Sequence, residues 1–489
     1  MRQRERIHLL KYALIPMLGL LFWFWYVKAA GADVVYSDYI RLVHDYLPDV
    51  DNPAKFLVPD ILTRIPASFL ARLVNVRTFG FSVTFDRMLT IAGMGLIALV
   101  LSGYMYRQGI GIRWQLPVCI VLFSLNKWEI LLNGTAWAHV FSFGLFFLNY
   151  YLLDLLWRGE TDAKQELMLC VMPFLWLLFA GEYIASYAVT MILISALGIL
   201  SGGAGNKQSR NQKSMFRGIL AMTAAALMLY LLSRHFAVWE HAGSTDMSLK
   251  EVITSRPFFL PRFFIKSFAG TVLGQETAAS FIGGKPLPDI AVLLTGAIVL
   301  AAYVFAVVLY VCGDLMDRTV FPLVLLLSGF INHGLVTAGR WIFLREDYAL
   351  SSRYGGQFMI GITGILLIFA LYQTTRKRGE RRAAMKRRTR IMAAAAAVTV
   401  FIAAGNCYTT YQEIRKAPYR EANYERMEQA VLQFETYPEE ELLSIMEWHK
   451  DPAVLYESLN ILKENRLNVF RAPALQALPA SGQQEVRDQ

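Results

Sequence analysis

The sequence predicts an all-α fold, a polytopic transmembrane helical bundle of about eleven spans. Three observations carry that reading. Hydrophobic residues make up 55% of the 489 positions, and mean hydropathy is +0.38. Many apolar runs reach about 18–20 residues, enough to cross a bilayer core. The net charge of +10 sits largely in short loops between those runs, the pattern of cytoplasmic loops. That placement, with no stacked-aromatic surface, argues against nucleic acid as a partner.

The chain opens on a basic stretch, MRQRERIHLLK, before a first span at Leu9–Val27. Its length and aromatic content mark an uncleaved anchor rather than a signal peptide. A first outer loop follows over 28–84. Pro48, Pro53, Pro59 and Pro66 rule out one long helix there. Within it, Pro66–Arg77 places Phe69, Leu70, Leu73 and Val74 on one face with Arg72 and Arg77 elsewhere, as for a short helix on the membrane surface. Spans two to four are expected at Phe85–Tyr106, Gln115–Leu132 and Trp137–Trp157. Spans five and six, Glu166–Ala180 and Tyr183–Leu200, meet at an abrupt outer turn, Gly181-Glu182. Span seven is Phe216–Leu232.

A second outer loop covers 233–288. Its Phe258–Gly274 segment is apolar enough to span but holds Arg262 and Lys266 mid-segment, each costing about 2.5–3.5 kcal/mol at a span centre. An interfacial or re-entrant helix with snorkelling cationic heads is expected instead. Spans eight to eleven follow at Ile290–Cys312, Val320–Val336, Gly356–Tyr372 and Ile391–Ala404, with a third outer loop at 337–355. The 373–390 loop, with nine Lys/Arg, is the strongest cytoplasmic marker. The expected topology is a multi-pass cell-membrane protein, amino end cytoplasmic and carboxyl end extracytoplasmic. The sequence divides into a transmembrane domain, 1–405, and an outer helical tail, 406–489. Asp451-Pro452 reads there as an N-cap with proline at the first helical position. Leu455, Leu459 and Leu462 share the face that follows. The last 18 residues, APALQALPASGQQEVRDQ, read as disordered.

Polar groups gather at the outer ends of the spans. The stretch Gly31–Asp51 carries Asp33, Asp38, Asp45, Asp49 and Asp51 close to where span one surfaces. Glu129 and Asn133 end span three, His139 begins span four, and Glu182 joins spans five and six. His333, Arg340, Arg353 and Tyr354 cluster between spans nine and ten. A carboxylate at the lip of an apolar helix either has a task or forms a buried pair, and Lys127 or a loop arginine could partner Glu129. His139 beside Trp137 suits either a site or an interface histidine. Arg340 and Arg353 suit phosphate oxygens, unless they pair with Glu346, Asp347 or headgroups. The four cysteines show neither a disulfide framework nor metal spacing, and neither metal nor cofactor is expected.

A carboxylate base, cations against a leaving phosphate and an apolar wall would serve glycosyl transfer from a lipid-linked phosphosugar. The eleven-span plan, the acidic first outer loop with VYSDYI and a long outer loop with surface helices resemble the GT-C membrane glycosyltransferases. SLNKWEILLNG, GRWIFLREDYALSSRY and the tail segment ESLNILKENRLNVF are similar to recurrent segments of uncharacterised bacterial polytopic proteins. The resemblance implies an aspartate of the first outer loop as catalytic base, placed at Asp38 with Asp33 as substitute. It also implies membrane lipid, a polyprenyl-phosphate-linked sugar donor and a glycan, lipid or protein acceptor as partners. Asp33 and Asp38 are not adjacent, unlike the paired acids of many GT-C enzymes. A transporter or flippase of a lipid-linked or anionic solute, and a polysaccharide polymerase or ligase, are the alternatives.

Overall fold

The computed structural model describes residues 3–59, 64–201, 210–235, 243–281, 284–374 and 382–471. The carboxyl-terminal stretch expected to be disordered lies outside the described residues, as do parts of the first two outer loops and of two basic loops. Regular structure among the described residues is helical throughout, with one isolated bridge between Pro59 and Arg64. Ten helices among them are long and apolar enough to cross a membrane. The remaining expected span, Glu166–Ala180, is a helix of 17 residues.

α1 (Gln3–Ala30) leads through an extended stretch to α2 (Asp38–Tyr46) and α3 (Pro66–Phe79). α3 ends at Gly80, whose φ of 59° is the left-handed cap that terminates many helices. Its orientation agrees with a membrane-facing apolar side at Leu70 and Val74 and departs from the expectation at Arg72. Leu70 and Val74 face outward, whereas Arg72 is only 1% exposed and points into the protein. α4 (Val83–Arg107) starts at Ser82, whose hydroxyl accepts from the Phe85 N–H.

The third span is broken rather than continuous. α5 (Gln115–Phe123) and α6 (Trp128–Leu132) are separated by a 3₁₀ turn at Leu125–Lys127. Lys127 is buried, and its Nζ donates to the Val121 (2.8 Å) and Ser124 (3.1 Å) carbonyls. It therefore satisfies carbonyls that the end of α5 leaves free, and it is not the partner of Glu129.

α7 (Trp137–Arg158), α8 (Ala163–Phe179), α9 (Ile184–Ser201) and α10 (Arg210–His235) pack side by side. Asp162 and Gln165 form a reciprocal capping box at the start of α8. α11 (Leu249–Ser255), α12 (Phe259–Ala269) and α13 (Gln275–Ala279) are short. At eleven residues, α12 is about 16 Å long, too short to cross a core of about 30 Å. Its cations do not snorkel. Arg262 donates to Glu346 (2.8 Å) and Asp289 (2.7 Å), and Lys266 donates to Glu346 (2.6 Å). Paired carboxylates neutralise these cations where they stand, so no excursion to a headgroup layer is needed.

α14 (Asp289–Cys312), α15 (Phe321–Arg340) and α16 (Gly355–Thr374) complete the centre, with the apolar window of α16 wholly buried. Gly329 of α15 lies so close to Gly361 of α16 that a Cβ on Gly329 would collide with the Gly361 backbone, while a Cβ on Gly361 would strike the Tyr303 ring. Small residues at such a crossing let two backbones approach.

α17 (Arg382–Leu432) is the largest departure from expectation. The helix does not stop at Ala404 and shows no break at 405/406. It runs for 51 residues, about 77 Å, more than twice a bilayer core. Polar contacts carry it beyond the apolar part. The Asn406 amide donates to the Thr271 carbonyl (2.9 Å), and the buried Glu413 carboxylate holds Lys416 and Arg420. α18 (Glu439–Ile445) and α19 (Pro452–Glu464) then fold back, with Asp451 capping α19 and Leu455, Leu459 and Leu462 fully buried. α19 packs on α2, so the tail clamps the first loop.

Candidate functional site

The first loop is built from below. Arg72 forms an ion pair with Asp86, and the two side chains are 1% and 0% exposed. The second Asp86 oxygen accepts from the Tyr39 hydroxyl at 2.9 Å. Arg87 donates to the Leu132 (2.7 Å) and Ala32 (2.8 Å) carbonyls. Gly134 fits against Tyr39 and Asp86 only because it lacks a Cβ. These contacts seat α2 with Tyr39, Ile40, Val43 and Tyr46 inward.

Ser37 precedes α2 with φ of 49°, sparsely populated for a non-glycine residue. Its N–H donates to the Met446 carbonyl of the tail at 2.9 Å. Asp38 is the first residue of α2, where a helix amino end favours a negative charge. Its carboxylate is half-buried and makes no hydrogen bond or ion pair among the described residues.

Asp38 opens on a cavity of about 470 Å³. Glu129, Asn133, His139, Glu182, Arg340, Arg353 and Tyr354 line the same cavity. These positions come from five separate regions of the chain, and the fold brings them to one end of the bundle. Asp33 and His333 are not among them. Asp33 accepts from the Thr84 N–H (3.1 Å) and from Arg471 (2.7 Å), which binds the tail to the loop. His333 is fully buried between Phe268 and Phe358, with ring centroids at 3.9 and 4.1 Å, and its Nδ1 meets the Ser267 hydroxyl at 2.8 Å.

Within the cavity the two arginines are in different states. Arg353 donates to one oxygen of Glu129, while the Ser352 hydroxyl donates to the other at 2.9 Å. Glu129 is thus occupied at both oxygens. Arg340 forms no ion pair among the described residues and lies over the Tyr354 ring, 5.9 Å from its centroid. Glu182 also lacks a hydrogen bond or ion pair among them. The His139 ring meets Tyr183 edge-on at 4.7 Å, and its Nε2 is buried without a hydrogen bond among the described residues. Asn133 accepts from the Thr135 N–H (3.2 Å) and hydroxyl (2.7 Å), which fixes the turn before α7.

Sequence reasoning missed part of the wall. Arg41, Arg72, Tyr183 and Tyr348 line the cavity, as do Glu447, Trp448, His449 and Lys450 between α18 and α19. The tail residues carry no local signal, since a polar turn after the last span reads as solvated surface. Burial, together with the nearby Glu129 charge, raises the Glu447 carboxyl above its usual range. Four carboxylates therefore face five Lys/Arg side chains across the cavity, so it is polar but close to charge balance. Among the described residues, no group of three or more His, Cys, Asp or Glu side chains is arranged to hold a metal ion.

Among the described residues the arrangement offers carboxylates without a hydrogen bond or ion pair, an arginine without an ion pair, and a second arginine committed to holding a carboxylate. Compared with known proteins, the chain matches no family model, no curated protein and no solved structure.

Proposed function

We propose that the protein is a membrane glycosyltransferase of the GT-C kind. It transfers a sugar from a polyprenyl-phosphate donor to a cell-envelope acceptor on the outer face, with its amino end cytoplasmic and its carboxyl end extracytoplasmic. The observation that carries this reading is the placement of Asp38, without a hydrogen bond or ion pair among the described residues, in one cavity with Arg340. An acceptor hydroxyl attacks the anomeric carbon of the donor. Its proton passes to Asp38, and the bond between that carbon and the phosphate oxygen breaks. The electron pair leaves with the polyprenyl phosphate, whose charge Arg340 meets. Arg353 is already engaged by Glu129, so its role is to hold that carboxylate and shape the wall. This differs from a symmetrical phosphate clamp of two arginines.

The test uses purified protein in proteoliposomes with radiolabelled decaprenyl-phosphate sugars and envelope extracts as acceptor. Transfer of label by the wild type and its loss by about 10²–10⁴-fold in Asp38→Asn, with folding intact, are the expected results. Full activity in Asp38→Asn removes Asp38 from the mechanism.

One observation favours a second reading. The helix interrupted at Leu125–Lys127 beside the cavity resembles the discontinuous spans at transporter sites. A transporter would move the labelled donor across the bilayer without forming a labelled product, so the same vesicles separate the two.

A further inference from the structure

The wall supplied by the tail contains a group that the proposed chemistry leaves unused. Glu447 faces the cavity with no side-chain hydrogen bond or ion pair among the described residues. Its backbone is held at φ of 53°, a conformation that costs a non-glycine residue and persists where the surroundings impose it. Those surroundings are specific. The Glu447 N–H donates to the Ser444 carbonyl (3.2 Å), and the Trp448 N–H donates to that of Leu443 (3.0 Å). The Trp448 indole donates to the Asp451 carbonyl at 2.9 Å. The preceding carbonyl, that of Met446, accepts from the Ser37 N–H, one residue before Asp38. The strained residues Ser37 and Glu447 are thus joined through the Met446 carbonyl, and the carboxylates of Asp38 and Glu447 face the cavity without a hydrogen bond or ion pair among the described residues.

We infer that Glu447 is a specificity-determining residue that accepts hydrogen bonds from hydroxyl groups of the transferred sugar. This rests on the glycosyltransferase reading. An acceptor-only group with open lone pairs calls for donors. Arg353, His449 and Arg420 lie close enough to act on its charge, but among the described residues none donates a hydrogen bond to it, and Arg353 is bound to Glu129. The near balance of charge around the cavity disfavours a strongly cationic occupant, and a neutral polyol meets the requirement.

The experiment measures binding to detergent-purified full-length protein of two probes. One is decaprenyl phosphate. The other is the tightest-binding of decaprenyl-phosphate-linked glucose, mannose and arabinose. In the wild type the sugar should tighten binding by about tenfold or more, the range of one or two hydrogen bonds to a charged group. Glu447→Ala should abolish that gain and leave decaprenyl phosphate affinity unchanged. Glu447→Asp should restore part of it. A merely structural role would weaken both probes together or lower thermal stability, and either result overturns the assignment. A sugar gain that survives Glu447→Ala also overturns it while the transferase reading stands. A wild type that binds neither probe overturns both.

Discussion

Replacing Asp86 by Asn removes the charge that holds Arg72, and the structure sets the size of the effect. Both side chains are buried, at 1% and 0% exposure. Among the described residues Arg72 Nε and Nη1 make no hydrogen bond, so Asp86 is the acceptor that holds the guanidinium. Leaving one member of such a pair uncompensated costs about 3–5 kcal/mol. Asn retains one oxygen, which places Asp86→Asn near the lower end, about 3 kcal/mol. Exchanging both residues for apolar ones, Arg72→Met with Asp86→Leu, should be far milder. Two desolvated charges vanish together, and the remaining cost is the Tyr39 hydroxyl, about 1–3 kcal/mol when left without its acceptor. The double replacement is therefore less damaging than the single one. Unfolding in mixed micelles by SDS titration, followed by circular dichroism, measures all members of the set. An Asp86→Asn loss below about 1 kcal/mol would refute the reasoning. So would losses for Arg72→Met alone and Asp86→Leu alone that sum to within about 0.5 kcal/mol of the double replacement, since contacting residues are expected to couple. Tyr39 follows Asp38, so this lesion should also lower activity by displacing the proposed base.

Other consequences follow from individual contacts. Arg340→Gln should weaken decaprenyl phosphate binding by about ten- to a hundredfold with stability preserved, whereas Arg353→Gln should chiefly lower thermal stability by freeing Glu129; calorimetry and thermal melts separate the two. Glu447 has a carboxyl raised above its ordinary 4.5 by burial and by Glu129. Its ionisation therefore penalises the folded state increasingly as pH rises beyond that value, and below about pH 4.5 the penalty is absent. Glu447→Gln should then melt higher than wild type at pH 7, with the difference shrinking toward pH 4; an unchanged difference across that range contradicts the assignment. Asn468→Ala removes buried hydrogen bonds to Val35 (3.2 Å) and Phe81 (2.9 Å) and leaves alanine at φ of 52°. A loss of about 2–4 kcal/mol and faster proteolysis beyond Leu432 are expected.

The spans were legible because a membrane helix is written locally. Ten of the expected segments correspond to helices long and apolar enough to cross, and Asp451-Pro452 begins a helix as its residues require. The break at Leu125–Lys127 was not legible. An uninterrupted apolar run conceals a turn whose stability comes from Lys127 reaching back to Val121 and Ser124. The end of the last helix was misplaced for a related reason. Hydropathy ends near Ala404, but helicity continues because Asn406 and Glu413 find buried partners that hydropathy does not register. Eight of the ten candidate site residues line one cavity because each sits at a span end on the same side.

By itself, the sequence determined which segments cross the membrane and which span ends carry ionisable groups. Both follow from the transfer energies of neighbouring residues, a property of the local chain. Tertiary structure alone decided which acids are free. Asp33 is taken by Arg471, 438 positions away, and Glu129 by Arg353, 224 positions away, while Asp38 has no hydrogen bond or ion pair among the described residues. A carboxylate's state depends on the donors brought beside it through space, and separations of that size leave no trace in the residues around it.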